Sequence, residues 1–529
     1  MEDLDAEVLG NKAVGLATMA RLGLPVPPAF VVTTPVGRHF LRHGALAGDV
    51  AAAIREQLHA LERVTGRRLG DPRAPLLVAV RSGAAVSMPG MMDTVVNLGA
   101  LPVQAALEAA PSAFHVDTRF RFLRSYATTV AGVDEAVFAD LERRHAAGRQ
   151  GATRPDALLG AVEEQLDRAG HAIPEDPVEQ VERAVAAVLG SWHSPRAHAY
   201  RQRQDIPHDL GTAAVVQAMV FGNRDADSAT GVAFSRDPTT GHRAPYGDVL
   251  FTAQGEDVVS GRADTGRLSA LAERLPDAWD TLLDALALLE RELRDLVHVE
   301  FTIESGRLWL LQVRVGGATA RAAIKIAVEL VDEGRIGTTE ALRRITPEQV
   351  RVSAAAARAS HDGERVLTAG LGASPGVATG RIATTSEEAI RLARTGPVVL
   401  VRPVTSPRDM PGIAAAVGVL TAAGGLTSHA AVVARSLSKA AVVGAAGIAI
   451  DAGAGTVTVG PTVLRTGDVV SIDGTSGAVF VGDVRARADG VDPHLQRLLR
   501  WADDLAGGSG RSRSPAARLA AAHARLGAG

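Results

Sequence analysis

The sequence predicts an α+β protein of several units, and three observations point that way. A chain of 529 residues exceeds what a single hydrophobic core organises. Residues 1–315 mix strand-like apolar runs with helical stretches, without the regular βαβ alternation of a parallel sheet. A second stretch, 367–485, is again rich in short apolar runs and glycine, and a weakly patterned segment precedes it.

The elements follow in order. "PAFVVTT" (28–34), "PLLVAVRSG" (75–83), "TAAVVQAMVFG" (212–222) and "TGVAFSRDP" (230–238) read as strands. "HVEFTIESGRLWLLQVR" (298–314) reads as a hairpin turning at Ser305-Gly306. Residues 103–200 form a mostly helical insertion with polar turns such as "RRHAAGRQGATRPD". From 316 to 351 the spacing is that of two helices broken at Glu333-Gly334, running into the alanine-rich "SAAAARASHDGER" (353–365), taken as a hinge. The expected divisions are thus 1–315, 316–366 and 367–485. In the last, "PVVLVRPV", "AAVGVLTAAGG", "AAVVGA" and "GDVVSIDGTSGAVFVG" supply a small sheet with flanking helices. The remainder, 486–529, opens with a helix at 493–505 and turns Gly/Ser/Arg-rich, then alanine-rich.

Composition narrows the function class. An apolar share of 46% and a charged share of 22% suit a soluble globular protein. No window has the length of a membrane span, and the start "MEDLDAEVLG" lacks the regions of a signal peptide, so the expectation is a cytoplasmic protein without a membrane partner. With no cysteine, disulfides, thiolate metal sites and cysteine nucleophiles are excluded. A net charge of −3 and 3% aromatics argue against a nucleic-acid surface. The basic run "RSRSPAAR" (511–518) reads as a solvated tail. Of 56 basic residues only Lys12, Lys325 and Lys439 are lysines, which marks each as a place where a compact ammonium is wanted or has merely persisted.

"GGLTSHAAVVARSL" (424–437) carries the sharpest chemical signal. Gly424 and Gly425 permit a tight turn, and Thr427 or Ser428 can cap the helix that follows. An imidazole at a helix start, here His429, sits beside unpaired N–H groups and the positive dipole end, which hold it neutral and favour an adjacent anion. A neutral imidazole is a nucleophile, so the pattern fits a histidine that accepts phosphate. It also fits a capped helix with an incidental surface histidine.

Phosphate-binding equipment has candidates nearer the front. "VRSGAAVSMPGMMDT" (80–94) leaves a strand with Arg81 and enters a loop containing Gly83 and Gly90, whose backbone amides can lie against phosphate oxygens. Lys12, in "GNKAVGLATM", is a second cation. Glu300, Gln312 and Arg314 alternate along the hairpin and can share a face, where a carboxylate, an amide oxygen and a guanidinium suit Mg²⁺ and phosphate together. Each of these is also compatible with an ordinary turn or a solvated strand face.

Taken together, these stretches resemble the pyruvate, phosphate dikinase family. Its N-terminal unit is similar to "GNKAVGLATMARLGLPVPPAFVVTT", "RSGAAVSMPGMMDTVVNLG", "TGVAFSRDPTTG", "AQGEDVVSG" and "VEFTIESGRLWLLQVR"; its phosphohistidine domain is similar to "ASPGVATGRI", "TSPRDMPGI", "GGLTSHAAVVARSLSKAAVVG" and "SIDGTSG". The resemblance runs in order from about residue 10 to 485. It implies an ATP-grasp-like nucleotide-binding domain, a helical linker, and a swivelling β/β/α phosphohistidine domain. His429 would attack the β-phosphorus of ATP and release AMP; inorganic phosphate would then remove the terminal phosphoryl group as pyrophosphate, leaving phosphohistidine. Lys12 and Arg81 match the phosphate-binding positions, and Glu300, Gln312 and Arg314 match the metal- and triphosphate-contacting ones. Thr427 matches the position that plant members use for regulation. Mg²⁺ is the implied cofactor.

Two departures stand out. The family's pyruvate-binding barrel is expected after 485, and "LLRWADDLAGGSGRSRSPAARLAAAHARLGAG" resembles only a worn version of its opening. The resemblance therefore implies a monomer that performs the ATP half-reaction and needs a separate PEP- or pyruvate-binding chain as acceptor. Second, the family has aspartate where this chain has His298, which weakens a Mg²⁺ site and admits Mn²⁺, or leaves the role to Asp295. The competing readings are a PEP-synthase-like dikinase with another acceptor, and a catalytically silent protein that senses ATP.

Overall fold

The computed structural model describes the chain apart from residues 1–3, 73, 87, 89–90, 101–112, 136, 139–154, 169–172, 260–265, 357–365, 426–427, 446, 484–491, 508–512 and 528–529. The described residues form a mixed α/β structure of two compact units. One comprises Met1–Val220 with Trp309–Gln312, the other Phe221–Leu308 with Val313–Gly529. No helix among the described residues is long and apolar enough to cross a membrane.

The first unit is built on an antiparallel sheet in the order Ala29–Val32, Ala213–Ala218, Val78–Gly83, Thr94–Leu98. Ala213–Ala218 is buried through its whole length and Val78–Gly83 over Val78–Val80, as "AAVVQA" and "VAV" require. The helix Pro177–Gly190, capped by Asp176, covers them with Val181, Ala184, Val185, Val188 and Leu189, all fully buried. The helical insertion appears as Ala113–Thr129, Pro155–Arg168, Pro177–Gly190 and Pro195–Arg203.

A five-stranded sheet has the order Arg307–Val315, Val297–Glu304, Ala229–Phe234, Tyr246–Phe251, Gly266–Arg267, and apart from Trp309–Gln312 its strands belong to the second unit. The stretch 1–315 thus supplies two separate sheets. The hairpin turns at Ser305 and Gly306, both at positive φ (48° and 79°), as a tight two-residue turn demands. The strands Thr94–Leu98 and Tyr246–Phe251 have no counterpart in the sequence reading.

Residues 366–481 make an eight-stranded mixed sheet whose centre is four parallel strands, Val377–Ala383, Val398–Arg402, Gly418–Thr421 and Ala440–Val443. Parallel neighbours need crossovers, and the helices Ser386–Ala393, Met410–Ala415 and His429–Ser436 provide them. Alternate side chains separate to two faces. Val398, Leu400 and Val419 pack with Ala389, Ile413, Ala430 and Ala434 of the helices. Val399, Val401 and Leu420 pack with Ile448, Val457 and Leu464 of a small three-stranded sheet.

Two expectations need correction. The segment 316–351 forms three helices, Ala320–Asp332, Thr338–Arg344 and Pro347–Ala356, the last running into the proposed hinge; residues 357–365 lie outside the described residues. Of the basic run, residues 513–518 are described: Arg513 is exposed, while the end of the run enters a packed helix instead of a solvated tail. Ser514 caps the helix Pro515–Leu526, Arg518 pairs with Asp503 at 3.0 Å, and Leu519 and Ala522 join Leu495 and Leu498 in one core with Ile324, Ile326 and Leu342.

Candidate functional site

In the first unit, the helix Ala6–Arg21 is kinked at Gly10, whose φ is +76°. A Cβ there would stand 1.8 Å from the Gly83 carbonyl oxygen, so only glycine permits the approach. Asn11 seals the contact: its N–H donates to the Ala84 carbonyl over 3.0 Å, and its Nδ2 donates to the Ala85 carbonyl. Lys12 is thereby set beside Gly83, where an added methyl would lie 3.5 Å from Lys12 Cβ. Two motifs distant in sequence become one loop with a cation on its flank.

Arg81 stands on the adjoining strand, opposite Val215. Its Nη1 donates to the Leu311 carbonyl at 3.1 Å and to Gln217 Oε1 at 3.3 Å. Gln217, which the sequence reading missed, is buried and anchored to the Pro27 carbonyl through Nε2. Lys12, Arg81, Gly83 and Gln312 therefore all belong to this unit. Gly90 lies outside the described residues. The other two lysines serve packing. Lys439 Nζ donates to the carbonyls of Ala414 (2.9 Å) and Ala416, and Lys325 faces Glu329 at 3.8 Å.

In the second unit, Glu300 and Arg314 share a face of the hairpin and pair at 3.1 Å. His298, two residues before Glu300, lies opposite Phe234 in register, with rings stacked 4.3 Å apart and 7° from parallel. Burial first, then the Arg314 charge, push its pKa down to about 3 against the opposing pull of Glu300, so the ring is neutral. Its Nε2 is enclosed without a hydrogen-bond partner. Asp295 is engaged elsewhere, by the Leu296 N–H at 2.7 Å and by Arg344 at 3.6 Å.

Among the described residues no group of three or more His, Asp or Glu is placed to hold a metal ion unaided. Glu300 in the second unit carries a carboxylate and Gln312 in the first an amide oxygen, each an oxygen donor of the type that suits Mg²⁺. A neutral His298 with an unpartnered nitrogen suits Mn²⁺ better than Mg²⁺.

His429 opens the crossover helix His429–Ser436 that leads into the edge of the parallel strands. The turn before it depends on Gly424, at φ +113°, where a Cβ would come within 3.1 Å of Ser428 Cβ. Ser428 occupies the N-cap position but makes no side-chain cap bond; its Oγ is buried and unpartnered. Of the two expected caps, Ser428 holds the N-cap position without a cap bond, and Thr427 lies outside the described residues. The ring is half-buried. Its Nδ1 is 3.4 Å from Thr405 Oγ1, and its Nε2 has no partner. Burial lowers its pKa, opposed by the Asp409 carboxylate, so His429 is neutral near physiological pH.

The loop facing His429 was not assigned a role from sequence. Ser406 donates to Asp409 Oδ2 through its N–H (2.9 Å) and Oγ (3.1 Å), while Arg402 Nε lies 3.2 Å from Asp409 Oδ1. Ser406 followed by an acid three residues on is the readable trace of this clasp. Nothing in the spacing announces that Thr405 meets His429.

Comparison with known proteins adds two domain matches. Residues 46–276 match the family described as pyruvate phosphate dikinase, AMP/ATP-binding domain, and residues 394–477 match the PEP-utilising enzyme, mobile domain. The chain is 41% identical over 526 residues to pyruvate, phosphate dikinase of Rhizobium meliloti, covering 94% of this chain and 58% of that protein. It is 41% identical over 513 residues to the chloroplastic pyruvate, phosphate dikinase 1 of Zea mays, covering 94% and 54%. Against pyruvate, phosphate dikinase of Clostridium symbiosum it is 39% identical over 516 residues, covering 94% and 59%. The chain thus spans somewhat more than half the length of these relatives.

Proposed function

This chain is a relative of the pyruvate, phosphate dikinases through both its AMP/ATP-binding and its mobile domain, and from that premise we propose that it is a phosphotransferase acting through His429. ATP and inorganic phosphate are its substrates, and phosphohistidine, AMP and pyrophosphate the products of its half-reaction. The supporting observation is His429 itself: a neutral ring at a helix start, its Nε2 enclosed without a hydrogen-bond partner, behind an N-cap serine that makes no side-chain cap bond.

In this reading, 1–315 binds ATP, 316–366 is the linker, and 367–485 is a swivelling domain carrying the histidine. Lys12, Arg81 and the Gly83 loop hold the triphosphate by charge-assisted contacts and backbone N–H groups. Glu300 and Gln312 hold the divalent ion, which neutralises phosphate charge when bound.

The test is incubation with β-labelled ATP and Mg²⁺ or Mn²⁺, with and without phosphate. AMP release with pyrophosphate formed only when phosphate is present supports the proposal. AMP release with orthophosphate and no pyrophosphate, independent of added phosphate, would point to a synthase-like relative in which water takes the terminal phosphoryl group. One observation favours a silent ATP-binding protein instead: the buried imidazole of His298 beside Glu300. Tight nucleotide binding with no AMP under either metal would establish that reading.

A further inference from the structure

The two ring nitrogens of His429 are in different surroundings, and only one can hold the proton of the neutral ring. Nε2 is enclosed and unpartnered, whereas Nδ1 faces Thr405 Oγ1 at 3.4 Å. With the proton on Nε2, a buried N–H would be left without an acceptor, which native structures avoid more strictly than an unfilled lone pair. With the proton on Nδ1, Thr405 accepts it and Nε2 keeps its lone pair. Thr405 is only 9% exposed. The clasp that fixes its loop, Arg402–Asp409–Ser406, is itself tied down by Arg402 Nη1 donating to the Thr384 carbonyl at 2.9 Å.

We infer that Thr405 is a positioning residue for phosphotransfer: it accepts a hydrogen bond from His429 Nδ1–H and so fixes the tautomer that makes Nε2 the nucleophile. The inference rests on the phosphotransferase reading. In the step it serves, the Nε2 lone pair forms a bond to the β-phosphorus. The bond from that phosphorus to the α,β-bridging oxygen breaks, and AMP leaves with the electron pair. The proton stays on Nδ1, so the ring acquires positive charge as the new bond forms. The Nδ1–H···Oγ1 bond then becomes charge-assisted and shortens from its 3.4 Å resting length, stabilising the transition state more than the ground state. The Asp409 carboxylate, whose charge already favours a protonated ring, acts in the same sense.

Thr405→Val removes the acceptor at nearly constant volume, and Thr405→Ser keeps it. Long-range ¹H–¹⁵N NMR of the histidine rings, in the full chain without nucleotide, reads the tautomer of His429 directly. The expected result is Nδ1–H in the wild type and Thr405→Ser, and a mixture with Nε2–H in Thr405→Val. Phosphohistidine formation should slow by about 10-fold or more in Thr405→Val, with ATP binding by equilibrium dialysis unchanged and near-wild-type rates in Thr405→Ser. An Nε2–H ring in the wild type, or an unaltered tautomer in Thr405→Val, overturns the inference. Failure of the wild type to take up label overturns the phosphotransferase reading separately, because the NMR result is obtained without ATP.

Discussion

Replacing Gly10 by alanine places a methyl carbon 1.8 Å from the Gly83 carbonyl oxygen, where ordinary contact begins at 3.4 Å. Both atoms sit on backbone, so no side chain can yield, and the kink must open. The cost has two parts. Holding alanine at φ +76° costs about 1–2 kcal/mol. Opening the kink stretches the bonds from Asn11 to the Ala84 and Ala85 carbonyls, worth about 1 kcal/mol each. Gly23 supplies the control: its φ is +73°, yet nothing lies within 4 Å of its would-be Cβ. Gly23→Ala should lose about 1–2 kcal/mol and bind ATP normally. Gly10→Ala should lose about 3–4 kcal/mol and, by moving Lys12 off the loop, weaken ATP binding about 10- to 100-fold. Urea unfolding and equilibrium dialysis with labelled ATP read the two effects. Equal losses in the two variants, with unchanged ATP binding, would refute the claim that this close approach builds the phosphate site.

Two further outcomes are expected. Arg236 is fully buried and bonded to Glu290, Glu329 and Glu333 at 2.8–3.1 Å, so Arg236→Met should cost about 3–5 kcal/mol near neutral pH, measured by urea unfolding. Burial pushes the Glu290 pKa up, but hydrogen bonds from Arg236 and Ser235 outweigh it and hold the carboxyl below its ordinary value. That stability is present above the unfolded carboxyl value and is lost as pH falls through the folded one; without Arg236, only the Ser235 bond and the Arg335 charge at 3.5 Å are left to oppose burial. The penalty should therefore shrink as pH falls below the ordinary glutamate value of about 4.3, and a penalty that grows on acidification would contradict this. His298→Asp should shift the ATP complex from Mn²⁺ toward Mg²⁺, read by how well Mg²⁺ displaces Mn²⁺ in EPR titrations; an unchanged ratio would remove His298 from the metal's surroundings.

Local features were the legible ones. The hairpin at Ser305-Gly306 and the buried parallel strands around "VVLV" follow from turn chemistry and continuous apolar runs. So does the helix opening at His429. What escaped the sequence depends on contacts between distant segments. Gly10 looks like an ordinary helix interruption until Gly83 is seen against it. The alanine-rich helix Pro515–Leu526 has little pattern of its own and gains its place from the core it completes with Ile324 and Leu342. Thr94–Leu98 is too short to read as a strand without its partner at Val78–Gly83. Thr405 and Gln217 matter only through partners remote in sequence.

The central claim stands on one side chain. The full chain should be incubated with ATP, phosphate and Mn²⁺ or Mg²⁺, digested under alkaline conditions that preserve N–P bonds, and its peptides mapped by mass spectrometry. A phosphoryl group on Nε2 of His429, absent from His429→Ala, is the predicted result. Unmodified His429 in samples where dialysis shows ATP bound would contradict it.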